Sequence, residues 1–202
     1  MIKKKVGIID HNYGNFSSVF NAIEFLNVEF GVINHPDQFN EYSHFILPGV
    51  GSYLELMKKL SKKKLINPII DVIDQKKLFL GICVGMQILT DYGEEFKKSN
   101  GLKLIDGSTT KMNTNEILPH VGWNEILIDK KSKLFDGIKN KSEFYFTHSY
   151  VVECDNKYVS SNFEYGSNFI SSIEKQNIFG VQFHPEKSQK NGLRLLNNFC
   201  NL

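Results

Sequence analysis

The 202-residue sequence has little of what staples, bends or specialises a chain: three cysteines, five prolines, one tryptophan and one arginine. Cys83, Cys154 and Cys200 are an odd number at unrelated spacings, which argues against a disulfide framework and against a zinc site. A reducing compartment suits such thiols. Charge of one sign is lacking too, since 24 basic against 22 acidic residues leave +2. Lys58-Lys59 and Lys62-Lys63-Lys64 cluster on what reads as a solvated helix face. Neither a nucleic-acid stripe nor a polybasic membrane patch is expected. The opening apolar run Val6-Gly7-Ile8-Ile9 is far short of a signal-peptide core or a membrane span, so a cytoplasmic location is expected. Repeats, low-complexity tracts and Pro/Ser-rich linkers are missing, and one domain over 1–202 is the economical reading. What is present is apolar mass: 41% hydrophobic and 12% aromatic residues suffice for a core and argue against disorder.

Short β-rich runs alternate with helical stretches in the first third, the pattern of a parallel sheet with crossover helices. Strands are expected at Val6 to Asp10, Val28 to Asn34 and His44 to Leu47. Phe16, Val19, Phe20, Ile23 and Leu26 recur at three and four and make one helical face between Asn15 and Asn27. Ser52 to Leu60 and Leu65 to Gln75 read as helices, the second with Pro68 in its first turn, where a missing N–H costs little. Leu78 to Ile82 is apolar throughout, as suits a central strand covered on both faces, and a helix from Met86 onward is expected after it. The second half changes character. Gly101 to Ile105, Glu125 to Ile128, Glu143 to Val152 and Val159 to Phe163 read as strands. Ser167 to Glu174 and Ile178 to Phe183 read as a hairpin turning at Lys175-Gln176-Asn177, and Asn191 to Asn201 as a closing helix. The fold class is therefore α/β: an open, mostly parallel sheet flanked by helices, with an antiparallel extension in the second half.

The most informative segment is Gly81-Ile82-Cys83-Val84-Gly85, a Gly-x-Cys-x-Gly turn between strand and helix. This is a nucleophile elbow with sulfur in place of oxygen. Its glycines let strand and helix backbones approach closely, and the helix N-terminus favours a thiolate at Cys83. A lone cysteine is more often a buried core residue, but the two flanking glycines make that reading the weaker one. A thiolate needs a base and an orienter for the base. His184 and Glu186 offer both, because residues two apart on extended chain point the same way. The N–H of Val84 would meet an oxyanion, and Pro48-Gly49-Val50-Gly51 could supply a second donor, although alone it reads as a Pro-Gly turn. A stand-alone α/β cysteine hydrolase would use the same elbow but with an acid between nucleophile and histidine. A non-catalytic binding module would normally have lost a member of the triad.

The three blocks Pro48–Gly51, Gly81–Gln87 and His184–Glu186, in this order, resemble the class I (triad) glutamine amidotransferases. Pro119–Asn124, Tyr145–Tyr150, Gly180–Ser188 and Gly192–Phe199 narrow the resemblance to the HisH family of glutaminase subunits. The resemblance implies that Cys83 attacks the side-chain amide of glutamine, forming a γ-glutamyl thioester and releasing ammonia. His184 would shuttle the proton and Glu186 would orient its ring. Val50 and Val84 would donate to the oxyanion, while Gly49, Gly51, Gln87, Ser149 and Tyr150 would line the glutamine pocket. No cofactor and no metal are implied. Ammonia would pass to a synthase partner, a HisF-type (β/α)8-barrel cyclase of histidine biosynthesis, with Asn12, Asn15 and Lys187 at the interface. An oxyanion hole left incomplete until the partner acts would avoid idle hydrolysis of glutamine. One run departs from the family pattern Asp-Tyr-Gly-x-Gly-Asn: here it is Asp10-His11-Asn12-Tyr13-Gly14-Asn15. That departure leaves open an alternative partner, an amidotransferase acting on N-acetyl sugars of surface polysaccharides or flagellar glycans.

Overall fold

A computed structural model describes residues 4–11 and 16–202. The expected alternation is present in the first half: β1 (Val6–Ile9), α1 (Phe16–Phe25), β2 (Phe30–Ile33), β3 (His44–Gly49), α2 (Tyr53–Lys62), α3 (Ile66–Asp74) and β4 (Leu78–Cys83). The periodic face of α1 buries Val19, Ala22 and Ile23. α2 starts where the Ser52 side chain accepts the N–H of Glu55, which satisfies a donor that the first helical turn leaves without a backbone partner. Every residue of β1 and β3 is buried, as continuous apolar runs require of strands covered on both faces.

The second half holds α4 (Val84–Gln87), β5 (Thr90–Gly93), β6 (Ser99–Asn100), β7 (Ile105–Lys111), β8 (His120–Glu125), β9 (Leu127–Ile128), β10 (Glu143–His148), β11 (Tyr150–Cys154), β12 (Val159–Glu164), β13 (Asn168–Lys175), β14 (Ile178–Val181) and α5 (Gln189–Cys200). The main sheet runs β2-β1-β3-β4-β14-β13-β12-β9. Its first five strands are mutually parallel, and β13, β12 and β9 add the antiparallel extension through the β13–β14 hairpin. The remaining strands form two smaller sheets, β10-β8 and β11-β7-β5-β6. A buried cluster of Phe144, Phe146, Phe163 and Phe183 fills the space between β10 and the main sheet.

Four expectations are corrected. The strand expected over Glu125 to Ile128 breaks at Ile126, whose N–H turns onto the Ser142 carbonyl, leaving Glu125 in β8 and Leu127–Ile128 in β9 of the main sheet. The helix after the elbow lasts one turn, Val84–Gln87, because the Gln87 carbonyl accepts the hydroxyls of Thr90 and Thr109 instead of a further helical N–H. Residues 101–104 form no strand: the N–H groups of Gly101, Leu102 and Leu104 turn onto the carbonyls of Asp91, Ile88 and Leu89, and β7 begins only at Ile105. Finally, the run 143–152 breaks at Ser149. β10 pairs with β8 in one sheet, β11 pairs with β7 in another, and the Ser149 carbonyl is held by the N–H of Met112.

Candidate active site

β4 lies between β3 and β14, and the register sets out the site. Gly49 stands beside Cys83 on one flank, and on the other Val181 stands beside Ile82, so the chain leaving β14 delivers Gln182 and His184 past the tip of β4. The carboxyl ends of parallel strands are where open α/β sheets leave room for a ligand. A cleft of about 340 Å³ opens there. It brings together the expected residues Gly49, Val50, Gly51, Cys83 and Val84 with Gln87, Ser149, Tyr150 and His184.

Cys83 has φ 54° and ψ −113°, a backbone conformation costing on the order of 1–3 kcal/mol that persists where surrounding structure enforces it. The enforcement is backbone against backbone. A Cβ on Gly85 would lie 2.2 Å from the Leu47 carbonyl oxygen, and one on Gly81 would lie 2.4 Å from the Gly85 oxygen. Since α4 is a single turn, little macrodipole is available to Cys83. The charge partner is His184, 2% exposed. Burial works against protonation of its ring, yet the neighbouring Cys83 sulfur and the Glu186 carboxylate together raise it to about 10.

Glu186 reaches Nδ1 of His184 at 2.8 Å with its own side chain 1% exposed. The pair meets as expected but on different backbone: Pro185–Lys187 is a single 3₁₀ turn, not extended chain. Ser188 closes this turn. Its hydroxyl donates to the His184 carbonyl and accepts the Tyr145 N–H at 3.0 Å, while the His184 N–H donates to the Tyr145 carbonyl at 2.8 Å. The histidine backbone is thereby clamped to β10.

Sequence reasoning passed over several residues. The Gln182 side-chain amide donates to the Cys83 sulfur at 3.6 Å and accepts from Gln87, whose amide also donates to the Tyr150 carbonyl at 2.9 Å. Glu95, Pro119, Thr147 and His148 line the cleft as well. One carboxylate oxygen of Glu95 accepts the Tyr53 N–H at 2.8 Å, and burial raises its carboxyl against that bond. Burial holds His148 at about 3, so it is neutral, and its Nδ1 donates to the Tyr150 carbonyl. Gln182, Ser188 and His148 lie inside the family-like blocks of the sequence, but nothing local marks them; Glu95 carries no signal. Lys187 is exposed, its ammonium 5.7 Å from the Tyr145 ring. Asn12 and Asn15 lie outside the described residues.

A parallel-sheet elbow carries a buried Cys–His–Glu chain beside a polar cleft, and the family model Glutamine amidotransferase class-I matches residues 8–201. The chain belongs to that family. Solved structures with the same fold include PurLQS from Thermotoga maritima (TM-score 0.79, 19% identity, 98% of each chain covered) and a glutamine amidotransferase from the same organism (TM-score 0.66, 20% identity, 96% of this chain and 80% of that one). Closer in sequence are imidazole glycerol phosphate synthase subunits: HisH 1 of Campylobacter jejuni is 42% identical over 200 residues, covering 98% of this chain and all of the relative. HisH of Methanocaldococcus jannaschii is 43% identical over 197 residues, covering 98% and 99%. Within the class I family, this is a chain of the HisH group.

Proposed function

We propose that this protein is the glutaminase subunit of an imidazole glycerol phosphate synthase, hydrolysing glutamine to glutamate and handing ammonia to a HisF-type (β/α)8-barrel cyclase. The observation that carries the chemistry is the buried chain from Cys83 through His184 to Glu186 at the floor of a cleft bordered by Glu95, Ser149 and Tyr150. The Cys83 sulfur attacks the side-chain amide carbon. Negative charge develops on the amide oxygen, where the N–H groups of Val84 and Val50 stabilise it. His184, held protonated, gives its proton to the departing nitrogen and leaves a γ-glutamyl thioester. It then takes a proton from water, whose oxygen displaces the sulfur and frees glutamate. Glu186 keeps the ring turned and its charge compensated. The Glu95 carboxylate is placed to oppose the α-ammonium of the substrate, and the Gln87–Gln182 pair fixes the thiol from behind. Lys187 faces the partner in this reading.

The HisH relatives carry the histidine-pathway reading, and neither of them carries the sugar-amidotransferase alternative. Glutamate release by the purified chain, alone and with the same organism's barrel cyclase and its nucleotide substrate, tests the proposal, with Cys83→Ala as the blank. Strong stimulation by the loaded cyclase is expected. Absence of stimulation, with Cys83 still alkylated by a glutamine-like affinity label, would retain the glutaminase and reject the partner.

A further inference from the structure

We infer that His11 is a positioning residue for the oxyanion-forming loop: its ring grips the Pro48 carbonyl and thereby fixes the orientation in which Gly49 and Val50 face Cys83. The inference rests on the reading of Cys83 as the nucleophile of glutamine hydrolysis. His11 Nε2 lies 2.8 Å from the Pro48 oxygen, and the residue is 4% exposed. A carbonyl oxygen has no proton to give, so Nε2 carries the hydrogen and donates. Nδ1 has no hydrogen-bond partner among the described residues.

The sheet explains why this bond is needed. β3 is held on both sides along most of its length, but its ladder to β1 ends at Ile8 beside Ile46, whereas its ladder to β4 runs on to Gly49 beside Cys83. The last residues of β3 therefore lose their partner on one flank just where the site begins. His11, two residues past the end of β1, reaches across with its side chain and supplies the missing contact. Nothing in the loop itself could do so. Gly49 has no side chain and packs against the backbone of Ile82, Val84 and Gly85, and Gly51 sits at φ +85°. The carbonyl of Pro48 and the N–H of Gly49 share one peptide plane, so holding the oxygen sets that plane and the start of the next. Burial lowers the pKa of this ring, with Lys59 and Lys63 acting in the same sense and the Pro48 hydrogen bond and Asp10 opposing.

His11→Phe retains the ring's bulk and removes the donor; His11→Gln restores a donor of similar reach, and His11→Asn has a donor too short to arrive. Each is assayed for glutamine hydrolysis in the full chain, alone and with its synthase subunit, and separately for alkylation of Cys83 by iodoacetamide, a displacement that uses no oxyanion. His11→Phe and His11→Asn are expected to lower kcat about tenfold or more, less than loss of a whole oxyanion donor, while KM stays within about twofold. The iodoacetamide rate is expected to be unchanged, and His11→Gln to recover most of kcat. Wild-type kcat in His11→Phe or His11→Asn, a parallel fall in alkylation, or failure of a folded His11→Gln to recover kcat would each overturn the inference. Glutamate release surviving in Cys83→Ala would instead overturn the nucleophile on which it rests, a result the His11 variants cannot mimic.

Discussion

The proton on His184 is held there by two neighbours of different permanence, the Cys83 sulfur, which the proposed mechanism acylates in turnover, and the Glu186 carboxylate, which it leaves unchanged. Glu186→Gln keeps the size and a hydrogen-bonding oxygen but removes the charge. Its loss lets burial weigh more heavily, so the His184 proton leaves at lower pH than the value of about 10 reached with both partners. Hydrolysis that needs a protonated His184 to expel ammonia should then lose its alkaline limb at lower pH, with kcat down by about 10²-fold or more, since removing the orienting acid of a triad misdirects the base. A pH profile of kcat in this variant that overlays the wild type would contradict the assignment of Glu186. Thiol identity is tested by contrast: Cys83→Ala should abolish glutamate release with the fold retained. Cys154→Ala and Cys200→Ala should leave kcat unchanged, because burial pushes those thiols up to about 11 and about 12 and keeps them protonated at working pH. Glutamate production by each purified variant decides the point.

Helix α5 supports the histidine segment from outside, and its first turn shows how. A Cβ on Gly192 would stand 1.8 Å from the Pro185 carbonyl oxygen. Replacing glycine by alanine inside a helix ordinarily stabilises by about 0.5–1 kcal/mol, but here the contact is with rigid backbone next to His184. Gly192→Ala is expected to lower both the melting temperature and kcat; a variant that melts higher than wild type would show that the segment has slack. The elements that local pattern alone determines were legible in the sequence: the apolar runs of β1, β3 and β4, the periodic faces of α1 and α5, and the β13–β14 hairpin. So was the core of the candidate site, because glycines around a cysteine and a His-Pro-Glu run are local signals. The rest depends on partners distant in sequence. α4 stops after one turn because Thr109 takes the Gln87 carbonyl, and β10 parts from β11 because Met112 holds Ser149. Gln182 and Glu95 join the site through Cys83 and Tyr53, residues 99 and 42 positions away. No periodicity encodes such contacts.

Histidines are spread through the interior, and their opposed shifts shape the pH dependence of the whole fold. Burial lowers His44 and His120 to about 4 and His148 to about 3. Below about pH 6.5 the unfolded chain therefore binds protons that the native state refuses, and stability must fall as the pH drops, with a slope of about 1.4 kcal/mol per pH unit for each such histidine. His184 behaves in the opposite sense. Raised to about 10, it is protonated in both states under acid and contributes no slope there; its stabilisation is complete below about pH 6.5 and is lost as the pH rises towards 10. The native state should thus be most stable close to neutrality and lose stability on both sides. The acid limb can be assigned. His120 stacks on Phe146 and Phe163 and packs tilted against Tyr165, and phenylalanine keeps a flat ring there while giving up the long contact of Nε2 with the Asn124 amide at 3.5 Å. His120→Phe should leave the urea midpoint at pH 7.5 close to wild type and raise it above wild type at pH 5, because one proton-refusing site is gone. Equal acid sensitivity in the two proteins would mean that His120 already accepts its proton in the folded state, and that the aromatic cluster around it admits water.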